Sequence, residues 1–206
     1  MPRQLFLELE EDKRTRVVEA GLREFARNTY NEASTNSIVR AAGISKGSLF
    51  KYFDNKEDFY FYILDTVVAD LFEDLSSDVV KLKGDLFDIL VRYAEVEFSW
   101  HMKNPDKYQL LKRAFVNDSS SLYLKAVERY KLAGDSMYHV LMHNSYTEGL
   151  IGDKDKVVNV VKWVLEGYNA EFTRRNDVSD DIEGIREAYI DGMRQYLKII
   201  RQGIST

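Results

Sequence analysis

The sequence predicts an all-α protein, and three observations predict it. Only two prolines, Pro2 and Pro105, interrupt 206 residues, so long helices meet few breakers. Apolar residues recur at three- and four-residue spacing through the long segments, the period of a helix with one buried face. No segment sustains the two-residue alternation of a half-buried strand. At 45% hydrophobic and 31% charged residues, a chain of this length can bury a sizeable core.

The elements follow in order. Lys13 to Asn28 reads as a helix, with Val17–Val18, Gly21–Leu22 and Phe25–Ala26 repeating every four residues. Ser34 or Thr35 caps a second helix running to about Ala42. Gly43 supplies a turn, and Ser45 caps a short third helix through Phe53. Asn55 caps a fourth helix from Lys56 to about Asp74, with Glu57 and Asp58 at its positive end. Ser76–Ser77 and Gly84 mark loops. Asp85 to Met102 is a helix, and Asn104–Pro105 restarts the chain with a cap and a first-turn proline. Asn117 to Ser121 is a break, followed by a helix from about Ser121 to Met142. Glu148 to Asp155 is a loop. Two amphipathic helices close the chain at about 154–175 and 180–202.

Charge is unevenly spread. The net charge is −5. Between Lys13 and Lys56, however, nine basic residues stand against four acidic ones, a local +5, which leaves −10 on the rest. A basic head on an acidic body fits phosphate binding at one end. The absence of cysteine excludes a disulfide framework and thiolate metal sites. No window approaches a membrane span, so no membrane partner is expected. The N-terminal segment has acidic flanks and no small-residue cleavage site. A cytoplasmic protein is the expectation.

The stretch Thr35–Lys56, TNSIVRAAGISKGSLFKYFDNK, carries two short helices about a glycine turn. That is the helix-turn-helix arrangement which places one helix in the DNA major groove. Its run of Ala-Ala-Gly-Ile-Ser, Lys-Gly-Ser-Leu-Phe, a further aromatic and Asn-Lys-Glu resembles the TetR family of transcriptional regulators, over about Val17 to Leu64. Ile38, Val39, Ala42, Ile44, Leu49 and Phe53 fit the core of such a head. The resemblance implies DNA contacts from Thr35, Ser45, Lys46, Gly47, Ser48, Phe50, Lys51, Tyr52 and Lys56. Lysines suit phosphate or guanine acceptors, Tyr52 a thymine methyl or a phosphate, and Gly47 close backbone approach. Two positions depart from the family pattern. Phe50 stands where tyrosine is usual, which removes a phosphate donor. Thr29 stands where glycine is usual, which shifts the expected left-handed turn to Asn28.

The resemblance divides the chain into a helix-turn-helix domain (1–56) and a helical effector-binding and dimerisation domain (57–206). It implies a homodimer through the last two helices, reading a palindromic operator on double-stranded DNA, with Gly167 and Gly192 permitting close helix approach. It also implies a small amphipathic or aromatic effector that releases the operator, the behaviour of a repressor. The aromatic-rich middle helices suit an amphipathic pocket. Tyr93, Glu97, Trp100, Phe115, Tyr138, Met142, Trp163 and Tyr168 are the expected lining. Glu97 beside aromatics points to a cationic ligand, although Glu95 and Glu97 cannot both face one side of a helix. His139 and His143 are spaced i, i+4, but no third ligand follows, so no metal is expected and no cofactor. No phosphate loop or nucleophile elbow is present, which argues against an enzyme. A DNA-binding scaffold governed by a protein partner, without a small-molecule cavity, is the alternative.

Overall fold

A computed structural model describes residues 1–115, 122–146, 152–175 and 182–204. Ten helices are described: α1 (Gln4–Leu7), α2 (Glu11–Arg27), α3 (Thr35–Ala42), α4 (Lys46–Tyr52), α5 (Lys56–Val79), α6 (Leu86–Lys103), α7 (Pro105–Phe115), α8 (Tyr123–His143), α9 (Lys154–Arg175) and α10 (Ile182–Ile204). Two-residue strands β1 (Gly84–Asp85) and β2 (Ser145–Tyr146) pair in parallel, Gly84 with Ser145 and Asp85 with Tyr146. The fold is all-α, as the sequence predicts. The expected break at Asn117–Ser121 and residues 148–151 of the expected loop lie outside the described residues. The chain forms two compact units: Met1–Phe72 with Asn104–Leu124, and Glu73–Lys103 with Lys125–Thr206.

In the first unit, local signals set the helix ends. Ser34 Oγ accepts from the Ser37 amide at 3.4 Å and caps α3. Gly43 ends that helix in the left-handed conformation (φ 66°, ψ 34°), where a side chain would be strained. Asn55 Oδ1 accepts from the Asp58 amide at 2.8 Å and starts α5. The turn after α2 differs from expectation. Asn28 is extended (φ −121°, ψ 149°), and no described non-glycine residue has positive φ. Thr29 closes that loop through its side chain instead. Its amide and Oγ1 both donate to Glu32 Oε2, at 3.3 and 2.7 Å. Glu24 Oε1 accepts from Ser34 N at 2.7 Å and Asn28 Nδ2 at 3.2 Å, tying the end of α2 to the start of α3. α5 runs past the expected stop near Asp74 to Val79, and Ser76 Oγ donates back to Glu73 O at 2.8 Å within the helix.

The core of this unit is aromatic. Phe6, Phe25, Phe53 and Phe59 are fully buried, with Ile38, Leu49, Ile63 and Leu64. Phe53 and Phe59 have ring centroids 4.8 Å apart. Gly21 admits Phe59: a Cβ there would lie 2.5 Å from Phe59 Cζ. α7 packs on α2, and Arg113 donates to the carbonyls of Ala26 (2.9 Å) and Arg27 (3.0 Å), satisfying acceptors at the end of α2. Lys107 pairs with Asp70 at 2.7 Å.

In the second unit, α10 packs on both α6 and α9. Tyr189, Ile190, Met193 and Leu197 on α10 are buried, as are Val157, Val161 and Leu165 on α9. Tyr168 stacks on Tyr189 (centroids 5.5 Å, 19° between planes) and donates its hydroxyl to Tyr189 O at 2.6 Å. Gly192 lets this happen, since a Cβ there would overlap the Tyr168 hydroxyl. Gly192 therefore serves approach of α9 to α10 within one chain. A Cβ at Gly167 would meet nothing within 4 Å.

Candidate DNA-reading head and effector region

α4 presents an exposed polar and basic face. Ser45, Lys46, Gly47 and Lys51 are exposed, and Thr35, Ser48 and Phe50 are half-buried. Buried Leu49 turns the helix so that this face points outward. Ser45 has a structural task as well: its Oγ accepts from the Ser48 amide at 3.0 Å and lies 2.8 Å from Ser48 Oγ. Gly47 has no steric reason within the protein, since a Cβ there would meet only Ser45 Oγ, at 3.8 Å.

Two expected contacts are placed elsewhere. Tyr52 is 5% exposed, with its ring 5.7 Å from Phe6. The helical period that sets Leu49 inward carries the Tyr52 ring with it, which removes the ring from stacking on a thymine methyl. Lys56 is half-buried. Its ammonium donates to the carbonyl of Tyr30, reaches Asn31 O at 3.5 Å and stands 4.6 Å from the Tyr30 ring centroid. Burial lowers its pKa, opposed by the nearby Glu24 carboxylate. That lysine clasps the loop before α3 to the start of α5, and its charge is turned inward.

An N-terminal arm braces the same head. Phe6 is fully buried, 4.8 Å from Phe53 and 5.3 Å from Tyr62 between ring centroids. The Arg3 amide donates to Tyr52 O at 2.8 Å, the Arg3 guanidinium binds Asp54, and the Met1 amino group lies 3.3 Å from Asp58. The signal for this arm is only the apolar triplet Leu5-Phe6-Leu7, too short for a period to be read.

The expected effector residues divide into groups. Tyr93, Glu97 and His101 follow at four-residue spacing on one face of α6. Tyr93 hydrogen-bonds to Glu97, and the same surroundings include Tyr138 of α8 and Tyr189 of α10. Burial pushes Glu97 up to about 7, opposed by the Tyr93 hydrogen bond. Burial pushes His101 down to about 4 and raises Tyr93 and Tyr138. Glu97 and Tyr93 nonetheless keep some accessible surface. Glu95 turns the other way and pairs with Arg194 at 3.2 Å. Of the two glutamates, Glu97 is therefore the one that faces inward. Trp100 is buried, and its indole donates to Asp74 Oδ2 at 2.8 Å. Met142 lies half-buried one turn beyond Tyr138.

Three expected lining residues stand apart from that group. Trp163 is 65% exposed, because Val161 and Leu165 take the inward face of α9. Tyr168 is spent in the seam between α9 and α10. Phe115 ends α7 in the other compact unit. His139 and His143 are both exposed.

Residues 17–63 match the family described as bacterial regulatory proteins, tetR family. A fatty acid metabolism regulator protein of Bacillus subtilis (strain 168) is 25% identical over 67 residues, covering 32% of this chain. The match spans about a third, 34%, of that relative's length. Among solved structures, a TetR family transcriptional regulator from Chloroflexus aurantiacus J-10-FL aligns over 100% of this chain and 99% of its own, with 24% identity and a TM-score of 0.68. A transcriptional regulator from Saccharomonospora viridis in complex with choline aligns over 96% of this chain and 100% of its own, with 20% identity and a TM-score of 0.67. Those two likenesses are of fold. Residues 17–63, which hold the helix-turn-helix, are thus similar to the TetR family of bacterial regulatory proteins.

Proposed function

We propose that this protein is a ligand-responsive repressor of transcription that binds a palindromic operator as a homodimer. One observation carries the reading. The exposed face of α4 offers Lys46 and Lys51 around Gly47, a glycine that no packing within the chain requires. Lysines there would neutralise phosphate or read guanine acceptors, and the bare Gly47 backbone would admit the duplex. Ser48 and Phe50 would complete the base-facing side, with Thr35 at a phosphate.

So short a helix reads few base pairs, and two copies would occupy half-sites on the order of 34 Å apart. α9 and α10 supply a surface for that pairing. Val160 and Trp163 on α9 are exposed, as are Tyr196 and Ile199 on α10, with Trp163 at 65% and Ile199 at 66%. Exposed large apolar groups on adjacent helices suit an isologous contact. The effector would bind in the second unit beside Tyr93, Glu97, Tyr138, Trp100 and Met142, and weaken operator binding by its preference for one of two states. The names of two relatives support a small organic effector: one regulates fatty acid metabolism, and one was crystallised with choline. Among the described residues no helix is long and apolar enough to cross a membrane, which suits action on chromosomal DNA in the cytoplasm.

Footprinting on DNA flanking the protein's own coding sequence tests this reading. A protected palindrome is expected, lost when the effector is added. Lys46→Ala and Lys51→Ala should each weaken binding and reduce the salt slope by about 1. Protection that no small molecule alters, but a protein partner does, would transfer the switch to the alternative scaffold reading.

A further inference from the structure

We propose that Lys56 is a positioning residue for operator binding: its ammonium, held by the carbonyls of Tyr30 and Asn31, fixes the loop that leads into α3 and makes no contact with phosphate. The proposal rests on the operator-binding reading above and assigns this lysine its part in it. Lys56 is the first residue of α5. A cation there faces the positive end of the helix macrodipole, so the position disfavours lysine unless its charge is taken up elsewhere. The loop after α2 takes it up. Lys56 Nζ donates to Tyr30 O, reaches Asn31 O at 3.5 Å and stands 4.6 Å from the Tyr30 ring centroid. That ring is itself held, edge-on to Tyr60 of α5 at 5.3 Å, and Tyr60 meets Phe25 of α2 at 5.0 Å.

The loop has a fastening at each end and Lys56 in the middle. Ala33 N donates to Thr29 O at 2.9 Å, and Glu24 Oε1 accepts from Ser34 N at 2.7 Å. Lys56 ties the carbonyls between them to the start of α5. Thr35, with which α3 begins, follows directly. A phosphate contact from Thr35 needs its hydroxyl and amide in a fixed place. A loop ordered only on binding subtracts that ordering from the affinity. Lys46 and Lys51 stand exposed on α4, whereas Lys56 spends its donors on carbonyls. Turning outward to a phosphate would break those bonds and strip the part-buried Tyr30 carbonyl of its charged donor.

The test measures operator affinity of the full chain against salt concentration for the wild type, Lys56→Met, Lys56→Arg and Lys46→Ala. Lys56→Met keeps the length of the stem and removes the donors. It should bind about tenfold more weakly at every salt concentration, with the wild-type salt slope. Lys56→Arg, which keeps donors for the carbonyls, should recover most of that loss. Lys46→Ala should lower the slope by about 1. Circular dichroism melts check that each variant is folded. Should Lys56→Met not fold, Lys56→Gln takes its place with the same expectations. A slope that falls by about 1 in Lys56→Met would show a phosphate contact and overturn the proposal. So would a lower melting temperature with unchanged affinity, the mark of a purely structural role, or a loss that Lys56→Arg does not restore. Hydrogen exchange of the free protein follows the clasp without DNA. Amides of residues 30–35 should exchange about tenfold faster in Lys56→Met, and those of Leu49 to Phe53 at the wild-type rate. Unchanged exchange at residues 30–35 would also overturn the proposal. Failure of the operator-binding reading looks different. No duplex would be bound by the wild type, which overturns the positioning role with that reading, while the exchange difference would remain.

Discussion

The two compact units treat buried polarity in opposite ways. The first fills its interior with Phe6, Phe25, Phe53 and Phe59 and gives the half-buried ammonium of Lys56 two backbone carbonyls. The second recesses an acid and a base, Glu97 and His101, four residues apart on α6, with tyrosines about them. A closely packed aromatic core favours one shape, which suits a surface that must match a groove. Recessed ionisable groups leave energy that a proton or a ligand can recover, which suits a unit with two states. That contrast has four testable consequences.

Phe6→Ala should have the largest effect. It empties a fully buried site among Tyr52, Phe53 and Tyr62, and the loss should be about 3–5 kcal/mol. Urea unfolding followed by tyrosine fluorescence reads it. A cost below about 1 kcal/mol would mean that the arm is an ornament on the head rather than part of its core.

The second prediction concerns pH. Glu97 titrates at about 7 in the fold against 4.5 ordinarily, so the folded state keeps a proton that the unfolded chain releases. Stability from Glu97 therefore falls as pH rises from 4.5 to 7. His101 titrates at about 4 against 6.5, so the unfolded chain takes up a proton that the fold refuses. Stability from His101 rises between pH 4 and 6.5. Each effect is on the order of 3 kcal/mol, and they oppose. The wild type should change little between pH 4.5 and 6.5 on account of this pair. Glu97→Gln should expose the rise, and His101→Asn the fall, in urea unfolding free energies measured across that range. If both variants track the wild type, the second unit has no recessed charge, and the contrast with the first disappears.

How far each unit could be read from sequence follows from the same contrast. Ser34, Gly43, Ser45 and Asn55 act locally, within four residues of the helix ends they set, so the helix-turn-helix was legible in detail. The arm was not, because Phe6 finds its place against Phe53 and Tyr62, far along the chain. The motif marks Tyr52 and Lys56 as DNA contacts by residue type, and the period gives only approximate facing. The one turned toward Phe6 and the other toward the Tyr30 carbonyl. In the second unit the helices were legible from periodicity. Which of Glu95 and Glu97 faces inward was not, because it depends on Arg194 on another helix. Trp163 shows the limit for aromatics: its type suggested a lining, and its phase on α9 puts it outside.

The third prediction separates two glycines that look alike in sequence. Gly192→Ala drives a methyl into the Tyr168 hydroxyl and should cost about 1–3 kcal/mol. Adding Tyr168→Phe should recover part of that cost, because the overlapping atom is the hydroxyl oxygen. Gly167→Ala meets open space within the chain and should stabilise α9 by about 0.5–1 kcal/mol, as alanine does in a helix. Thermal melts compare the three. If Gly167→Ala leaves the fold intact but shifts the molecule toward monomer in sedimentation, Gly167 serves close approach between copies, and Gly192 close approach within one.

The smallest expected effect falls on the reading helix itself. Ser45→Ala removes the acceptor for the Ser48 amide, a loss of about 1 kcal/mol. α4 has seven residues, too few to hold its shape by helical hydrogen bonds alone. The loss should therefore appear first as fraying of the turn that carries Lys46 and Gly47, while Leu49 stays anchored in the core. Operator affinity should fall several-fold, with a drop in melting temperature of only about 2–4 °C. Ser34→Ala removes the corresponding cap of α3, a helix anchored by Ile38, Val39 and Ala42, and should lower stability by a similar amount with less effect on operator binding. If the two variants lose operator affinity equally, the cap at Ser45 is only one more stabilising bond, and the placement of Lys46 does not depend on it.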